Sequence, residues 1–231
     1  MRIIARKVLV AFWTRHPEAQ IPLERWHSLV RAADWASTND VQAPAPKAKM
    51  LNRELVRFEI AGGNYRLVVA FDFQRQIAFL KFIGTHAEYD RIDAHGRTVL
   101  MELSMDIRPI RTDEDHRAAL AEIEACWGAP EGSEAGDRLE VLAALVEAYE
   151  ERRWPIQSRK RFDPVDVLHY AIDELGHTQA ELATLLGSRS RASEVLKRKR
   201  ALNVEMIHKI STAWKIPAEL LVRPYKIKRA A

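Results

Sequence analysis

The chain has 231 residues, of which 47% are hydrophobic and 29% are charged, and its formal net charge is +4. These values are ordinary for a soluble globular protein, and the length allows one large domain or two to three small ones. No apolar run is long enough to span a membrane, and the charged N-terminal segment is unlike a signal peptide. Cys126 is the single cysteine, which excludes an internal disulfide and a thiolate metal site. We therefore expect a cytoplasmic protein.

Charge divides the chain into three regions. Residues 1–100 contain 15 Lys and Arg against 10 Asp and Glu, residues 101–160 contain 8 against 14, and residues 161–231 contain 13 against 8. Basic regions favour polyanionic partners, whereas an acidic region can cover a basic surface of the same chain or of a partner. The middle region is therefore a candidate cover for one of the basic regions.

Two helices are predicted near the N-terminus. Residues 3–4 favour a short strand, and apolar residues between Val8 and Trp13 recur at helical spacing. Pro17 stops this helix, and Pro22 suits the first turn of a second one. We expect both helices to pack on the sheet that follows.

A loop with turn residues and an alternating Ala-Pro pattern is predicted over residues 37–49. It brings Lys47 and Lys49 close to the strands that follow. Both lysines are candidate contacts for RNA or for an inhibitor, and simple solvation in an extended loop is the alternative for each.

Alternating polarity predicts an antiparallel hairpin, with strands at 65–73 and 76–84 and a register that pairs Phe73 with Gln76. Successive side chains of a strand point to opposite faces, so this register also predicts the core face. Its members are Leu67, Val69, Phe71, Phe73, Ala78, Leu80 and Phe82.

The opposite face of the predicted hairpin carries cations. Arg66 and Lys81 are diagonal neighbours in this register, roughly 7–8 Å apart. A third strand over residues 56–60 adds Arg57 and Glu59 beside Arg66. This face is therefore a candidate anion-binding surface.

A capping box, Thr85-His86-Ala87-Glu88, follows the last strand and predicts a short helix. His86 and Tyr89 lie in its first turn, where free backbone N–H groups favour an anion. Together with the two cations, these side chains can bind a phosphodiester and move a proton. In the alternative interpretation, the helix start serves only as a cap, Glu59 pairs with Arg66, and Lys81 is solvated.

The segments GGNYRLVVAF (62–71) and KFIGTHAEYD (81–90) resemble the signature of HigB-type toxins, which are RelE-like, ribosome-dependent endoribonucleases. The resemblance extends from about Met1 to Ala94. It implies cleavage of messenger RNA on the ribosome without metal or cofactor, with the 2′-hydroxyl of the substrate as nucleophile.

The resemblance also implies roles for individual side chains. Arg66 and Lys81 would stabilise the charge that develops on the phosphate, and Arg57 is a possible further anchor. His86 or Tyr89 would act as general base or acid, and the sequence does not separate their roles. His27, His95 and the other histidines show no clustered partners in sequence, so we expect them to be surface or core residues, and no metal-ligand spacing is present.

The region after the sheet begins with a junction over residues 98–112, in which Met101 and Met105 indicate the start of a second coding unit. Two neighbouring genes fused in nature, or two chains joined for study, both explain it. Helical periodicity then predicts a hairpin of helices over 113–127 and 136–154, separated by the turn at 128–133. Its acidic faces are the candidate cover, and an ordinary solvated hairpin is the alternative.

The C-terminal region carries a second motif. Thr178 and Glu181 form a capping box, Ala183 is small enough to let another helix approach, and Gly187 supplies a turn. TQAELATLLG followed by a second helix resembles the helix-turn-helix of phage-repressor-like proteins and HigA-type antitoxins over about residues 163–222. Ser193 departs from the usual Ile or Val of this motif.

In this geometry the second helix lies in the major groove, with its N-terminal residues toward the bases. Arginine binds guanine with two bonds, so two arginines and the serine between them are candidates for base reading. Residues at the start of the preceding helix and after the end of the second helix are candidates for phosphate binding. The base-reading candidates are Arg189, Ser190 and Arg191, and the phosphate candidates are Gln179, Lys197, Arg198, Lys199 and Arg200.

The complete prediction is an α+β chain. A RelE-like toxin domain (1–97), with two helices on an antiparallel sheet, is followed by the junction, an acidic toxin-contacting region (113–160) and a five-helix DNA-binding domain (161–231). We expect a type II toxin–antitoxin pair in one chain, with messenger RNA, operator DNA and a second copy as partners and no membrane contact. The alternatives are a non-enzymatic transcriptional regulator with a ligand- or protein-binding sheet, and a gyrase-targeting toxin of the same fold.

Overall fold

A computed structural model of the protein describes residues 1–92, 108–156 and 162–228. The described part is a mixed α/β structure with a five-stranded sheet, which agrees with the predicted α+β class. The predicted domain boundary at 97/98, the two methionines of the junction and His95 lie outside the described residues. In the described part, no helix combines the length and the apolar character needed to cross a bilayer.

In the N-terminal part, a first strand is followed by consecutive helices, then by four consecutive strands and a last helix. These elements are β1 (Arg2–Ile4), α1 (Arg6–Arg15), a 3-10 turn (Pro17–Ala19), α2 (Gln20–Ala32), α3 (Thr38–Gln42), β2 (Lys49–Met50), β3 (Leu55–Ile60), β4 (Tyr65–Asp72), β5 (Ile77–Thr85) and α4 (His86–Ile92). The elements after residue 107 are helical. They are α5 (Asp113–Ala125), α6 (Glu134–Arg153), α7 (Pro164–Tyr170) with a π-helical continuation (Ala171–Leu175), α8 (Gln179–Leu186), α9 (Arg189–Leu196), α10 (Val204–Trp214) and α11 (Ala218–Leu221).

The strand order of the sheet is β1-β5-β4-β3-β2. β2, β3, β4 and β5 pair in antiparallel fashion, as expected, whereas β1 runs parallel to β5. The expectation of a purely antiparallel sheet was therefore wrong. A parallel neighbour needs a crossover connection, and α1 and α2 supply it between β1 and the hairpin.

A bulge in β5 corrects the predicted register. Val69 lies opposite Leu80 as predicted, but Val68 lies opposite Phe82, so Lys81 is an extra residue in β5. A bulge shifts every later residue of its strand by one position. Phe82 therefore leaves the predicted core face, and Ile83 takes its place opposite Leu67.

The core face of the sheet carries Leu67, Val69 and Phe71, and α1 and α2 pack on it. The Trp26 ring of α2 lies 5.7 Å from the Phe58 ring, and Trp26 is fully buried. We call the opposite side of the sheet, which carries Arg57, Glu59 and Arg66, the site face.

The turns around the sheet differ in detail from the sequence prediction. β4 ends at Asp72 and β5 begins at Ile77, so four residues rather than two join the strands, and Gln76 has a positive φ of 55°. The predicted loop over 37–49 contains the short helix α3, whose Val41 is fully buried. One apolar side chain that reaches the core gives this segment a local structure that its polar composition does not predict.

The α5–α6 hairpin packs on the basic end of the N-terminal part. Arg31 of α2 donates to Glu147 at 2.5 Å and to Glu151 at 2.6 Å. The Arg6 side chain is only 4% exposed and lies 3.2 Å from Glu151, and Lys7 binds Asp113 at 3.0 Å. The acidic hairpin is therefore not simply solvated, because its carboxylates bind cations of α1 and α2.

The helices from α7 to α11 form a bundle that also contacts the N-terminal part. The Lys47 backbone N–H donates to the Leu175 carbonyl at 3.0 Å, and the Gly62 N–H donates to the Glu174 carboxylate at 2.9 Å. Gly176 has a φ of 106°, and a Cβ atom there would lie 2.8 Å from the Lys47 side chain. The close approach at this contact requires a glycine.

Candidate functional site

A row of side chains crosses the site face near its centre. The register places Lys49 of β2 opposite Arg57 of β3, Arg57 opposite Val68 of β4, and Val68 opposite Phe82 of β5. Paired residues of neighbouring strands point to the same face. Lys49 and Arg57, both candidates for RNA binding, therefore share one surface.

Arg66 occupies the next position along β4. Its guanidinium donates to the Gly63 carbonyl at 2.7 Å and lies 3.7 Å from the Glu59 carboxylate. The residue is 7% exposed, and its Nε atom is buried without a hydrogen-bond partner among the described residues. Arg66 is thus held in place by the β3–β4 turn and is nearly buried. The pairing with Glu59 is the one anticipated in the alternative interpretation.

Tyr89 of α4 completes the surface above Arg57. The Arg57 guanidinium lies 5.5 Å from the Tyr89 ring centroid, and the Tyr89 ring lies 6.1 Å from that of Phe82. A guanidinium over an aromatic face is attracted by the ring quadrupole. The bulge makes the contact between the Tyr89 and Phe82 rings possible, because it turns Phe82 toward the site face.

His86 lies at the exposed start of α4. Its Nδ1 atom lies 3.0 Å from the Asp90 carboxylate, one helical turn later. The predicted capping box is present, and the bonds from the Thr85 backbone N–H and hydroxyl lower the pKa of the Glu88 carboxyl. A carboxylate that orients an imidazole is a common feature of proton-transfer sites. The sequence prediction named His86 but did not include Asp90, which the i, i+4 spacing could have indicated.

Lys81 points to the site face but lies apart from Arg66. Because of the bulge, Phe82 rather than Lys81 is the diagonal neighbour of Arg66, so the predicted adjacency of the two cations is wrong. The Lys81 amine donates to Glu124 of α5 at 2.8 Å and lies 5.8 Å from the Trp127 ring. The hairpin thus binds Lys81 in an ion pair, although the residue stays exposed.

Lys47 differs from the other RNA-binding candidates. Its backbone and side chain lie against residues 175–176 of the C-terminal bundle, although the residue as a whole is exposed. No described contact brings it to the row that contains Lys49.

A hydroxyl, an imidazole and a carboxylate meet at the end of α1. The Tyr65 hydroxyl donates to the Glu18 carboxylate and lies 3.1 Å from His16 Nδ1. The bond raises the pKa of the Tyr65 hydroxyl and lowers the pKa of the Glu18 carboxyl. Tyr65 lies on the core side of β4, so this cluster faces away from Arg66.

Several of the histidines that were expected to be surface or core residues have partners that the sequence does not indicate. Besides His16, His116 lies 2.8 Å from the Glu150 carboxylate, and both side chains are fully buried. His177 stacks on the Trp214 ring at 4.3 Å, and burial lowers the pKa of its imidazole. These partners come from distant parts of the sequence, so spacing along the chain does not indicate them.

The α8–α9 pair carries the predicted DNA-binding residues. The Thr178 side chain accepts from the Glu181 N–H in a capping box, and Gly187 has a φ of 80° between the helices. Ala192, Val195 and Leu196 are buried and pack α9 on the bundle despite the unusual Ser193. Gln179, Arg189, Ser190, Arg191, Lys197, Lys199 and Arg200 are exposed.

Two of the phosphate-binding candidates have acidic partners. Arg198 donates to Asp163 and, at 2.8 Å, to Asp166 in the capping box of α7. Arg200 donates to Glu194 of α9 at 2.6 Å. Within the residues that the structure describes, no three His, Cys, Asp or Glu side chains form a group that could hold a metal ion.

A five-stranded sheet backed by two helices, with Arg57, Arg66 and the Tyr89 ring together on its second face, makes the N-terminal part a small α/β domain. Residues 19–92 match the family model HigB_toxin, described as the RelE-like toxic component of a toxin-antitoxin system. The match begins at the 3-10 turn and runs through α4, so it contains the whole site face. This region is therefore similar to the toxic components of toxin–antitoxin systems. The search of curated proteins found no match to the chain.

Proposed function

We propose that the chain is a toxin joined to its own antitoxin. Residues 1–92 contain an endoribonuclease that cuts messenger RNA on the ribosome, and the helices from α5 to α11 restrain it and bind operator DNA. The protein would act in the cytoplasm, where its substrate is translated. The observation that carries the proposal is the site face, on which Arg57, Arg66 and Tyr89 lie together within the region that matches the toxin family.

The site face supplies the groups that phosphodiester cleavage needs. Arg57 and Arg66 bind the scissile phosphate and stabilise the charge that develops on it. His86 with Asp90, or Tyr89, takes the proton from the 2′-hydroxyl or delivers one to the leaving 5′-oxygen. Lys49 extends the cationic row toward the neighbouring phosphate of the RNA.

Lys81 adds a third cation when the hairpin releases it. In the intact chain its amine is bound by Glu124 and lies beside the Phe79 and Trp127 rings. Arg57 and Tyr89 do not take part in these contacts. We therefore infer that the hairpin restrains the toxin by holding Lys81 and by occupying the basic surface of α1 and α2, rather than by covering the entire site face.

The α8–α9 pair supports the second activity. Arg189, Ser190 and Arg191 at the start of α9 are exposed, and Ser190 also contacts Glu194. Contacts with the N-terminal part come from α7, its π-helical continuation and α11, so α9 stays accessible while the toxin is docked. The chain would then bind its operator in the restrained form, as a dimer on two half-sites.

The test uses inducible expression of residues 1–107 in bacterial cells. We expect growth arrest with ribosome-dependent cuts in messenger RNA, and loss of both when Arg66→Ala is combined with Lys81→Ala. The control is Arg15→Ala with Arg53→Ala, which removes the same charge from exposed positions in the same region. Full toxicity of a folded Arg66→Ala, Lys81→Ala protein would reject the site.

Mapping of RNA ends and DNA breaks in the same cells separates the alternatives. Cuts in messenger RNA support the endoribonuclease. DNA breaks without RNA cuts identify a gyrase-directed toxin, and normal growth with soluble, folded protein identifies a non-enzymatic regulator.

A further inference from the structure

Residues 225–228, which follow α11 and belong to no helix or strand, return to the end of α9. We propose that this segment is an arm that binds the phosphate backbone of duplex DNA. The proposal rests on the operator-binding role of α8 and α9 proposed above. It adds a separate element with its own ligand, the phosphodiester anion.

Two hydrogen bonds fix the position of the arm. The Lys228 N–H donates to the Arg198 carbonyl at 2.7 Å. The Tyr225 hydroxyl accepts from the Leu202 N–H at 2.8 Å, and burial raises the pKa of this hydroxyl. The arm thus lies along the turn that connects α9 to α10.

The turn beside the arm has fewer free cations than its sequence indicates. Arg198 is neutralised by Asp163 and Asp166, and Arg200 by Glu194. Their charges are committed to holding the turn and the start of α7. Other side chains must therefore bind phosphate at the end of α9.

The arm supplies such side chains. Lys226 and Lys228 are exposed, as are Lys197 and Lys199 of the turn, and none of the four forms an ion pair with a carboxylate among the described residues. Lys226 and Lys228 alternate with Tyr225 and Ile227, which is the spacing that sends alternate side chains of an extended segment to opposite sides.

The position of these lysines matches the path of a DNA backbone. When the N-terminal residues of a recognition helix face the bases, its C-terminal end lies against the sugar-phosphate backbone. Lysines held beside that end neutralise phosphates and release counterions, which makes the affinity depend on salt. The arm therefore raises affinity for any DNA sequence, while α9 supplies the choice of sequence.

The test measures binding of the full chain to a fluorescent duplex of random sequence, about three helical turns long, over a series of salt concentrations. Each phosphate contact contributes about −0.9 to the slope of log affinity against log salt. For Lys226→Gln with Lys228→Gln, we expect the slope to become shallower by about 2 and the affinity near 0.1 M salt to fall about tenfold or more.

Two control variants isolate the role of the arm. Lys226→Arg with Lys228→Arg keeps the charge and should keep the slope. Arg117→Gln with Arg152→Gln removes two charges from exposed positions of the α5–α6 hairpin and should leave the slope unchanged. An unchanged slope in the Lys226→Gln, Lys228→Gln protein overturns the arm, provided that the parent chain binds the duplex and Arg189→Ala with Arg191→Ala weakens that binding. A parent chain that binds no duplex overturns the operator-binding role and the arm together.

Discussion

Two tyrosine hydroxyls show how much the setting of a single residue matters. Tyr65 donates to the Glu18 carboxylate. Tyr170 is 3% exposed, and its hydroxyl is buried without a hydrogen-bond partner among the described residues. A buried hydroxyl without a partner has lost its hydration and gained nothing in return. Replacement by phenylalanine should therefore destabilise the protein at Tyr65 but not at Tyr170.

For Tyr65→Phe we expect a lower urea midpoint at pH 7 and a much smaller loss at an acidic pH at which Glu18 is protonated in the folded protein. The folded protein has a lowered pKa at Glu18, so this group contributes stability above its unfolded pKa that is lost as pH falls through the folded value. Protonated Glu18 no longer offers a charged acceptor to the hydroxyl. Urea unfolding at the two pH values is the measurement.

Tyr170→Phe serves as the matched control, because it removes the same atom. Here we expect a neutral or slightly stabilising effect at both pH values. A loss that is equal for both variants, or one for Tyr65→Phe that does not change with pH, would contradict the role given to the Glu18 bond.

At the scale of elements, one carboxylate connects α5, α6 and the start of α1. Glu150 of α6 accepts from the Arg6 backbone N–H at 3.0 Å and lies 2.8 Å from His116 of α5. Removing one member of a buried polar group leaves the others without a partner. This carboxylate therefore couples the hairpin to the N-terminal part.

For Glu150→Ala we expect a loss of about 3–5 kcal/mol in the free energy of unfolding. Glu140→Ala removes an exposed carboxylate from the same helix and should change the free energy of unfolding by less than about 0.5 kcal/mol. Urea unfolding followed by circular dichroism provides both values. Equal effects of the two variants would mean that the buried carboxylate does not couple the elements.

At the scale of the whole molecule, ion pairs as well as apolar packing join the acidic hairpin to the basic N-terminal part. Arg6 and Arg31 both contact Glu147 and Glu151. Like charges at these places would repel where the present ones attract, and Arg6 is too deeply buried for water to screen the change. Reversing these charges should therefore separate the two parts without removing either.

For Glu147→Lys with Glu151→Lys in the full chain, we expect release of the toxin and arrest of growth on induction. Glu131→Lys with Glu140→Lys changes the charge equally at exposed positions and should leave the cells growing. Growth curves and mapped RNA ends are the readouts. A folded double variant that stays harmless, although residues 1–107 arrest growth, would show that these contacts do not restrain the toxin.

The sequence predicted most elements because their signals are local. The periodicity of α1, α2, α5 and α6, the capping boxes at Thr85 and Thr178, and the alternation in β3 and β4 all act within a few residues. These signals do not depend on tertiary contacts. The same local signals correctly placed Arg57, Glu59 and Arg66 on one face.

The errors concern features that depend on distant parts of the chain. Nothing near residues 3–4 indicates that β1 pairs with β5 in parallel. The alternation of polar and apolar residues does not reveal the bulge at Lys81. The residue after it, Phe82, is aromatic and can lie on either face of the sheet. The bonds of Tyr65 to Glu18 and of Lys81 to Glu124 join residues that are 47 and 43 positions apart.

The extra residue in β5 bears on how relatives of this protein should be aligned. A chain that lacks one residue between Leu80 and Phe82 would turn every later side chain of the strand to the opposite side. Selection would then exchange apolar and polar positions from there to Thr85. An alignment that puts the gap elsewhere in the strand would match inward-facing residues of one protein with outward-facing residues of the other.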